Sequence, residues 1–410
     1  MSKRNLKFIE GIEYALIVAL YYVAGGAFSY TNYSLQITSF FLISLGLLIV
    51  SGRQWLLLCK MPFMALFSMS FFIILVPLIN DNDILSYLAN IMQIAIGFFC
   101  ASIIPIERFK IKFVDIMVFF AVVSLIGFAL GAIYPGIAQR FPLTIGDASV
   151  DYYNAGIYVF MRPKGFGNFF LTKRNAGICW EPGCYQCFLN IAILLLLEKQ
   201  NEKGDRHFYT KFAILIMTVV TTISTTGIII LAILLVAYAK TWLGKTKETQ
   251  GFAMMIAIAA AGYFFFKSNF GKEIIDKLTR EFTFNNFGEG QNAFNRISLG
   301  HMKYLFADGS WFFGISFSKW VAVDAPSLWN SIIHSALCMG IPFTCIHLLG
   351  YWYGSHKVAK KGWLLFLVMI MCASTETLFW RVFFNTIAAY GWIYYELPEY
   401  MDQDFLGVCR

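Results

Sequence analysis

The sequence predicts an all-α polytopic membrane protein, and two observations lead to this fold class. Of the 410 residues, 58% are hydrophobic and only 14% are charged, which leaves a water-soluble domain of this size too little polar surface. Apolar windows of the roughly 20 residues that a transmembrane helix needs recur along nearly the whole chain. We therefore expect one integral membrane domain over residues 1–410, embedded in a lipid bilayer.

Twelve apolar segments predict about 12 transmembrane helices. They span residues 14–30, 35–50, 62–79, 84–104, 113–134, 178–197, 210–223, 226–239, 250–266, 329–352, 362–375 and 379–396. The uncharged stretch between Lys211 and Lys240 would form one helix about 42 Å long, and a single span needs only about 30 Å. We place a break at Ser224–Gly227, a polar stretch that ends in a helix-breaking glycine.

Charge placement tests the twelve-span prediction, because each added or removed span moves every later loop to the other side of the membrane. With twelve spans, one side receives Lys3, Arg4, Lys7, Arg53, Lys60, Arg108, Lys110, Lys112, Lys199, Lys203, Arg206, Lys211, Lys240, Lys245, Lys247, Lys357, Lys360 and Lys361. Lysine and arginine collect in cytoplasmic loops, so this side is expected to be cytoplasmic. Both chain termini are then cytoplasmic as well.

Two long outer segments, approximately 135–177 and 267–328, are expected to carry the function, since long connections in a compact chain are usually functional. The first contains the basic residues Arg140, Arg162, Lys164, Lys173 and Arg174 against the acidic Asp147 and Asp151. This basic excess reverses the charge bias expected outside the membrane. An anionic ligand that binds guanidinium groups would explain it, and contact with anionic lipid headgroups is the alternative.

The first long segment ends in RNAGICWEP, which begins at Arg174 and includes Glu181 and Pro182. A carboxylate near the membrane boundary is costly unless it is paired or exposed to water, and Arg174 is the nearest basic residue in the sequence. One interpretation is a structural ion pair at the start of a helix, with Pro182 in its first turn. The other is a catalytic or substrate-orienting role for Glu181.

The second long segment contains Arg296, His301 and Lys303, followed by the aromatic WFFGIS stretch from Trp311 to Ser316. Aromatic faces beside basic groups suit a sugar diphosphate, because rings stack on pyranosides while arginine neutralises phosphate. Tryptophan and phenylalanine at this depth are also typical of the ordinary interfacial belt. Both interpretations stay open for this segment.

Asn330 and His334 follow, four residues apart and therefore on one face of the next predicted helix. A histidine at the membrane edge predicts a general base or a hydrogen-bond donor to a diphosphate. A packing histidine with satisfied hydrogen bonds is the alternative. Glu376 and Arg381 fall at the last outer turn, where they either pair with each other or complete the site.

Other chemistry is weakly indicated. The acidic Asp81–Asp83 turn imitates a metal-binding DxD, and Cys184 and Cys187 form a CxxC without a second pair. The chain contains no phosphate-binding glycine loop and no dinucleotide fingerprint. We therefore expect no metal, no cofactor and no nucleic-acid partner.

Four landmarks carry a resemblance to the superfamily of O-antigen polymerases and O-antigen ligases. In chain order they are RxxGxxxEP from Arg174 to Pro182, STTG from Ser224 to Gly227, Arg296 followed by FFGIS, and NSIIHSALCMGIP from Asn330 to Pro342. The resemblance covers about 170 residues. It implies a GT-C-like helical fold in the inner (cytoplasmic) membrane of a bacterium.

The reaction that the resemblance implies is inverting glycosyl transfer from an oligosaccharide on undecaprenyl diphosphate, which serves as both donor and acceptor. Arginine and lysine side chains would stabilise the leaving diphosphate, chiefly Arg174 and Arg296 with help from Arg162 or Lys173. Glu181 or His334 would be the general base. The remaining substrate contacts are expected from Lys164, Lys303 and Asn330.

Two departures from the ligase pattern favour a polymerase. Ligases of the superfamily usually carry Ser-Arg where this chain has Thr225 and Thr226 after Ser224, and they carry His-Asn where this chain has Trp329 and Asn330. An O-antigen ligase and a non-enzymatic flippase or transporter of lipid-linked saccharides remain the alternatives. Some polymerases of this kind act with a separate chain-length regulator, which is a possible partner.

Overall fold

A computed structural model describes residues 3–28, 33–80, 85–146, 150–163, 174–202, 207–243, 306, 310–322 and 330–395. This part of the chain is mostly helical. Its helices are α1 Lys3–Gly25, α2 Tyr33–Ser51, α3 Trp55–Leu58, α4 Lys60–Ile79, α5 Leu85–Ile103, α6 Ile106–Ile133, α7 Pro182–Glu202, α8 Phe208–Thr222, α9 Thr225–Leu243, α10 Phe317–Ala322, α11 Ser331–Met339, α12 Ile341–Val358, α13 Gly362–Thr375 and α14 Val382–Ile393. A 3₁₀ helix spans Pro135–Arg140, and the strands are β1 Leu143–Gly146, β2 Val150–Asn154 and β3 Val159–Pro163.

The helices have the length and surface of a membrane protein. Within the described residues, α1, α2, α4 and α6 are each long and apolar enough to cross a membrane, and α5, α8, α9, α13 and α14 contain shorter apolar helices. Large apolar side chains such as Leu42, Val50, Phe67 and Phe119 are exposed on α2, α4 and α6. Lipid is the solvent that suits such surfaces, so the chain is a helical membrane protein.

The predicted break in the long uncharged stretch is confirmed. Helix α8 ends at Thr222 and α9 begins at Thr225. Between them Ile223 adopts a left-handed conformation with φ of 49°, which residues other than glycine rarely adopt. The Ser224 hydroxyl then accepts a hydrogen bond from the Gly227 N–H at 3.4 Å. The chain therefore turns at Ile223 and Ser224, and Gly227 lies in the first turn of α9 instead of breaking the helix.

A three-stranded antiparallel sheet corrects the expectation of an all-α chain. Its order is β1-β2-β3, and Asp151 on β2 lies opposite Arg162 on β3. The sheet packs on the end of α6, where the rings of Tyr158 and Phe160 cover Gly127 and Gly131. Strands of four or five residues leave only a short alternating pattern in the sequence, which is why the sequence predicts a long loop over 135–177.

We call the end of the bundle that carries this sheet the sheet end, and the other end the basic end. At the basic end Arg108 and Lys112 pair with the buried Glu13, at 3.0 and 2.7 Å. Lys211 pairs with Asp115 at 2.9 Å. The charge pattern assigned Arg108, Lys112 and Lys211 to the same side of the membrane. The fold places all three at one end of the bundle.

Helices α7 and α14 form the centre of the fold. Residues 182–197 of α7 and 382–393 of α14 are buried without exception. A helix that is enclosed on every face can be largely apolar all round, and both sequences are, apart from a few buried polar side chains such as Gln186, Asn190 and Asn385. Helix α12 packs closely on α14 at Gly354. Its backbone can approach because glycine has no Cβ, which would overlap the Ile387 carbonyl of α14. Both central helices begin at the sheet end.

The single helix expected over 329–352 is divided. Helix α11 ends at Met339, and Gly340 adopts φ of 89° before α12 begins. The WFFGIS segment fills the break: Ile315 N–H donates to the Leu337 carbonyl at 2.8 Å, and Ile341 N–H donates to the Trp311 carbonyl at 2.8 Å. These bonds pair backbone groups that a broken helix would otherwise leave unsatisfied in lipid.

Candidate functional site

The RNAGICWEP segment is fixed to two neighbouring parts of the sheet end. Arg174 Nε donates to the Thr222 carbonyl at 3.0 Å, at the turn between α8 and α9. Val159 N–H of β3 donates to the Gly177 carbonyl at 2.7 Å. Gly177 has φ of 59°, and a Cβ there would meet the Tyr185 ring at 2.7 Å. The RxxGxxxEP landmark thus contacts the end of α8, two residues before the STTG landmark begins.

The same segment also pairs with the end of α1. Ala27 N–H donates to the Ile178 carbonyl at 2.9 Å, and Trp180 N–H donates to the Gly25 carbonyl at 3.2 Å. These bonds place the buried Trp180 immediately before Glu181 and the first turn of α7. The indole and the carboxylate are consequently presented from one short, well-anchored stretch.

Glu181 does not form the ion pair with Arg174 that one interpretation of the sequence required. Arg174 uses its Nε on the Thr222 carbonyl instead. Glu181 is partly exposed, and its carboxylate forms no hydrogen bond or ion pair with any residue that the structure describes. A catalytic or substrate-orienting role for Glu181 stays a prediction.

A second carboxylate, Glu376, lies against the first turn of α7. It is buried, and a Cβ at Gly183 would overlap its Oε1 atom. The amino-terminal end of a helix stabilises negative charge, because the peptide dipoles present their positive ends there. Glycine at position 183 is therefore the residue that admits the Glu376 carboxylate to this place.

Ser331 ties the start of α11 to the Glu376 turn. Its hydroxyl lies 2.7 Å from the carbonyl oxygens of both Ala373 and Glu376, and it accepts from the Phe379 N–H at 3.1 Å. The NSIIHSALCMGIP landmark therefore reaches the same turn as the RxxGxxxEP landmark. Through WFFGIS, which packs on Gly340 and Leu337, a third landmark joins them.

Arg381 stands one residue before α14 and is half-buried. Its guanidinium carbon lies 4.7 Å from the centre of the Tyr33 ring and 4.9 Å from the centre of the Trp180 ring. Arg381 Nε donates to the Thr377 carbonyl at 3.3 Å. It does not pair with Glu376, and in the described ranges it forms no other ion pair. We call Trp180, Glu181, Glu376 and Arg381 the cluster, and a role in the site stays a prediction for Glu376 and Arg381.

His334 and Asn330 lie on α11 as the sequence predicted, with His334 N–H donating to the Asn330 carbonyl at 3.0 Å. The Asn330 side chain caps the helix, because its Oδ1 accepts from the N–H groups of Ile332 and Ile333 at 3.1 Å. The His334 ring is partly buried, 5.5 Å from the Phe317 ring. His334 is therefore placed at the border of the cluster.

Arg162 makes its contacts on the sheet. It is exposed on β3, and in the amide orientation that satisfies both groups Gln139 accepts from its Nη2 at 3.0 Å. The other predicted site residues, Lys164, Lys173, Arg296 and Lys303, lie outside the described residues, as do His301 and Asp81–Asp83. No group of three metal-ligating side chains that could hold an ion occurs in the described ranges.

The main site residues predicted from the sequence do not include three members of this cluster: Trp180, Glu376 and Arg381. A signal for two of them was present, since Glu376 and Arg381 are the charged residues of an otherwise apolar region from 362 to 395. Their partners Gly183 and Tyr33 carry no such signal, because a contact between distant segments leaves no periodic trace in a sequence. The chain matches no protein-family model, and no curated protein matches it.

Proposed function

We propose that this protein is an inverting membrane glycosyltransferase that polymerises oligosaccharide repeat units carried on undecaprenyl diphosphate. The observation that supports it is the meeting of three of the four resembling landmarks at one end of the bundle, around Glu181 and Glu376. These stretches are separate in the sequence, and contact between them is what a shared active site requires. The cluster holds two carboxylates and Arg381, and Arg174 begins the RxxGxxxEP landmark.

In the proposed reaction, a hydroxyl of the acceptor sugar attacks the anomeric carbon of the donor saccharide. A glycosidic carbon–oxygen bond forms, and the bond from the anomeric carbon to the diphosphate oxygen breaks. Undecaprenyl diphosphate leaves with that electron pair, and the hydroxyl proton passes to a general base of the protein. The saccharide is inverted at the anomeric carbon and lengthened by one transfer.

Glu181 is the general base in this proposal. Its partly exposed carboxylate has no partner among the described residues, so it is available to accept a proton. His334 is the second candidate, but its ring lies between Phe317 and Trp320 at the edge of the cluster. Glu376 is buried against Gly183, which suits a positioning role.

Arginine side chains would stabilise the diphosphate as its charge develops, which is usually the largest catalytic contribution. Arg174 is held for this purpose by its bond to the Thr222 carbonyl. Arg296 remains the partner implied by the family resemblance, with Arg162, Lys164, Lys173, Lys303 and Asn330 as substrate contacts. The proposal needs no metal or cofactor.

The proposed orientation follows from charge. If the basic end faces the cytoplasm, as the positive-inside rule favours, the sheet end faces outward. Lipid-linked repeat units presented in the outer leaflet of a bacterial inner membrane would then reach the cluster directly. A separate chain-length regulator would meet the protein on the same side.

A carrier of lipid-linked saccharides is the second candidate, and one observation favours it. Helices interrupted within the membrane, such as α11 and α12 at Gly340, are typical of transporters. The buried pair of His347 and Asn385, with Nε2 and Oδ1 2.7 Å apart, adds polar groups inside the bundle. An O-antigen ligase is the third candidate and rests on the resemblance alone.

The test is surface polysaccharide length in the native host after deletion of its own copy. Intact protein should restore a ladder of lengths, and Glu181→Gln should reduce polymer by about 100-fold or more at equal protein level, because general bases contribute 10²–10⁴. Glu107→Gln, an exposed residue paired with Lys110, is the matched control and should leave the ladder unchanged.

Two other outcomes would replace the proposal. If the deletion traps the lipid-linked unit on the cytoplasmic face, the protein is a flippase. If full-length polymer accumulates on its lipid carrier but is not attached to its final acceptor, the protein is a ligase.

A further inference from the structure

Arg381 is a charged residue held in a fixed orientation without an acidic partner. Its guanidinium carbon lies 4.7 Å from the centre of the Tyr33 ring and 4.9 Å from the centre of the Trp180 ring. Aromatic faces attract a guanidinium group and restrict its plane. The Nε bond to the Thr377 carbonyl fixes one edge of the group. The guanidinium group is thus oriented by the protein before anything binds to it, with the Tyr33 hydroxyl as a further hydrogen-bonding neighbour.

At the basic end of the same bundle, basic side chains have acidic partners. There Arg108 and Lys112 are both paired with Glu13, and Lys211 is paired with Asp115. Arg381 is half-buried, and none of the described residues supplies it with a carboxylate. Partial removal of a cation from water is costly unless an anion accompanies it. An anionic ligand would remove that cost at Arg381.

We propose that Arg381 binds a phosphate oxygen of the lipid-linked diphosphate, with Tyr33 and Trp180 holding its guanidinium group edge-on to the ligand. Planar N–H pairs bind phosphate oxygens bidentately, and this geometry needs the plane to be fixed. Trp180 is adjacent in sequence to Glu181, so a diphosphate at Arg381 lies beside the proposed base. This subsite rests on the proposed function and specifies where its leaving group binds.

The experiment measures binding of geranylgeranyl diphosphate to the purified full-length protein in phosphatidylcholine nanodiscs. We expect Arg381→Ala to weaken binding by about 10- to 100-fold, as loss of charge-assisted hydrogen bonds does. Arg381→Lys keeps the charge but loses the planar pair of N–H groups, so we expect an intermediate loss. The control is Lys319→Ala, a residue exposed at the same end and bonded to Asn80 at 3.0 Å, which should bind within twofold of the intact protein.

Three arms identify the source of the phosphate. Inorganic pyrophosphate should bind more weakly than the prenyl diphosphate but show the same dependence on Arg381. Replacement of part of the phosphatidylcholine by phosphatidylglycerol should leave the Arg381 dependence unchanged. Arg381 dependence that appears only with phosphatidylglycerol would overturn the proposal in favour of a lipid headgroup site.

Arg381→Ala also removes the contacts with the two rings and could therefore fail to fold. In that case Arg381→Lys still tests the proposal. Melting temperature and elution from a sizing column establish folding for each variant. The proposed subsite would be contradicted if Arg381→Lys is folded and binds geranylgeranyl diphosphate as tightly as the intact protein.

The two proposals fail in different ways. If diphosphate binding depends on Arg381 but the intact protein forms no polymer, the proposed subsite is supported and the proposed polymerase function is contradicted. Polymer formation with prenyl diphosphate binding that is indifferent to Arg381 would do the reverse.

Discussion

At position 183 the missing side chain decides where a carboxylate lies. A Cβ on Gly183 would overlap Glu376 Oε1, so alanine must displace the carboxylate from the first turn of α7. The position of Glu376 in the cluster is thus set by a residue that contributes no functional group of its own.

Gly183→Ala should therefore reduce polymer formation by about tenfold or more, since a displacement of 1 Å at a catalytic group can cost about 100-fold. Polymer length on a gel and melting temperature of the purified protein would be measured together. Gly46→Ala is the control, because its Cβ would meet nothing within 4 Å. Equal polymer from both variants would contradict a role for the Glu376 position.

Glu13 supports the basic end in a comparable way, as a buried carboxylate that pairs with both Arg108 and Lys112. Glu13→Gln should destabilise the fold by about 3–5 kcal/mol, because it removes the charge from a buried group that pairs with two cations. Thermal unfolding in detergent would show the effect. Glu107→Gln removes an exposed i,i+3 pair with Lys110 and should cost less than about 1 kcal/mol; a similar loss from both would refute the argument.

At the scale of elements, the break at Gly340 tests how much of the site depends on backbone geometry. Gly340→Ala combines a positive φ of 89° with overlap on the Phe312 carbonyl, whereas Gly52→Ala has a positive φ of 67° and open space. The strained backbone alone costs about 1–3 kcal/mol. We expect Gly340→Ala to lower the melting temperature clearly more than Gly52→Ala, and equal effects would show that WFFGIS does not pack as described.

The elements that sequence reasoning found share a strong local signal. The break at Ser224–Gly227 followed from span length and a glycine, and it is present. The sheet was missed because β1 to β3 are short and alternate only over a few residues. A Glu181–Arg174 ion pair is one of the two interpretations that proximity along the chain allows, but Arg174 folds onto the turn before α9. Contacts of that kind are set by tertiary packing, which single-sequence patterns do not encode.

For the whole molecule, the direction of each helix predicts which residues share a compartment. In a cysteine-free background, Gly136→Cys at the sheet end should react with a membrane-impermeant maleimide in intact cells. Lys357→Cys at the basic end should react only after lysis. Both positions are exposed, and the reverse labelling pattern would invert the proposed orientation.

The two enclosed helices have a consequence for the lipid environment. Peripheral helices adjust to bilayer thickness by tilting, and α2 and α4 present exposed apolar side chains such as Val50 and Phe67 that would follow the lipid. Helices α7 and α14 are covered by protein along the stretches that lead from Glu181 and from Arg381. The distance between Glu181 and Arg381 should therefore change little with the length of the lipid acyl chains. We expect the arrangement of these two residues to be the same in membranes of different thickness.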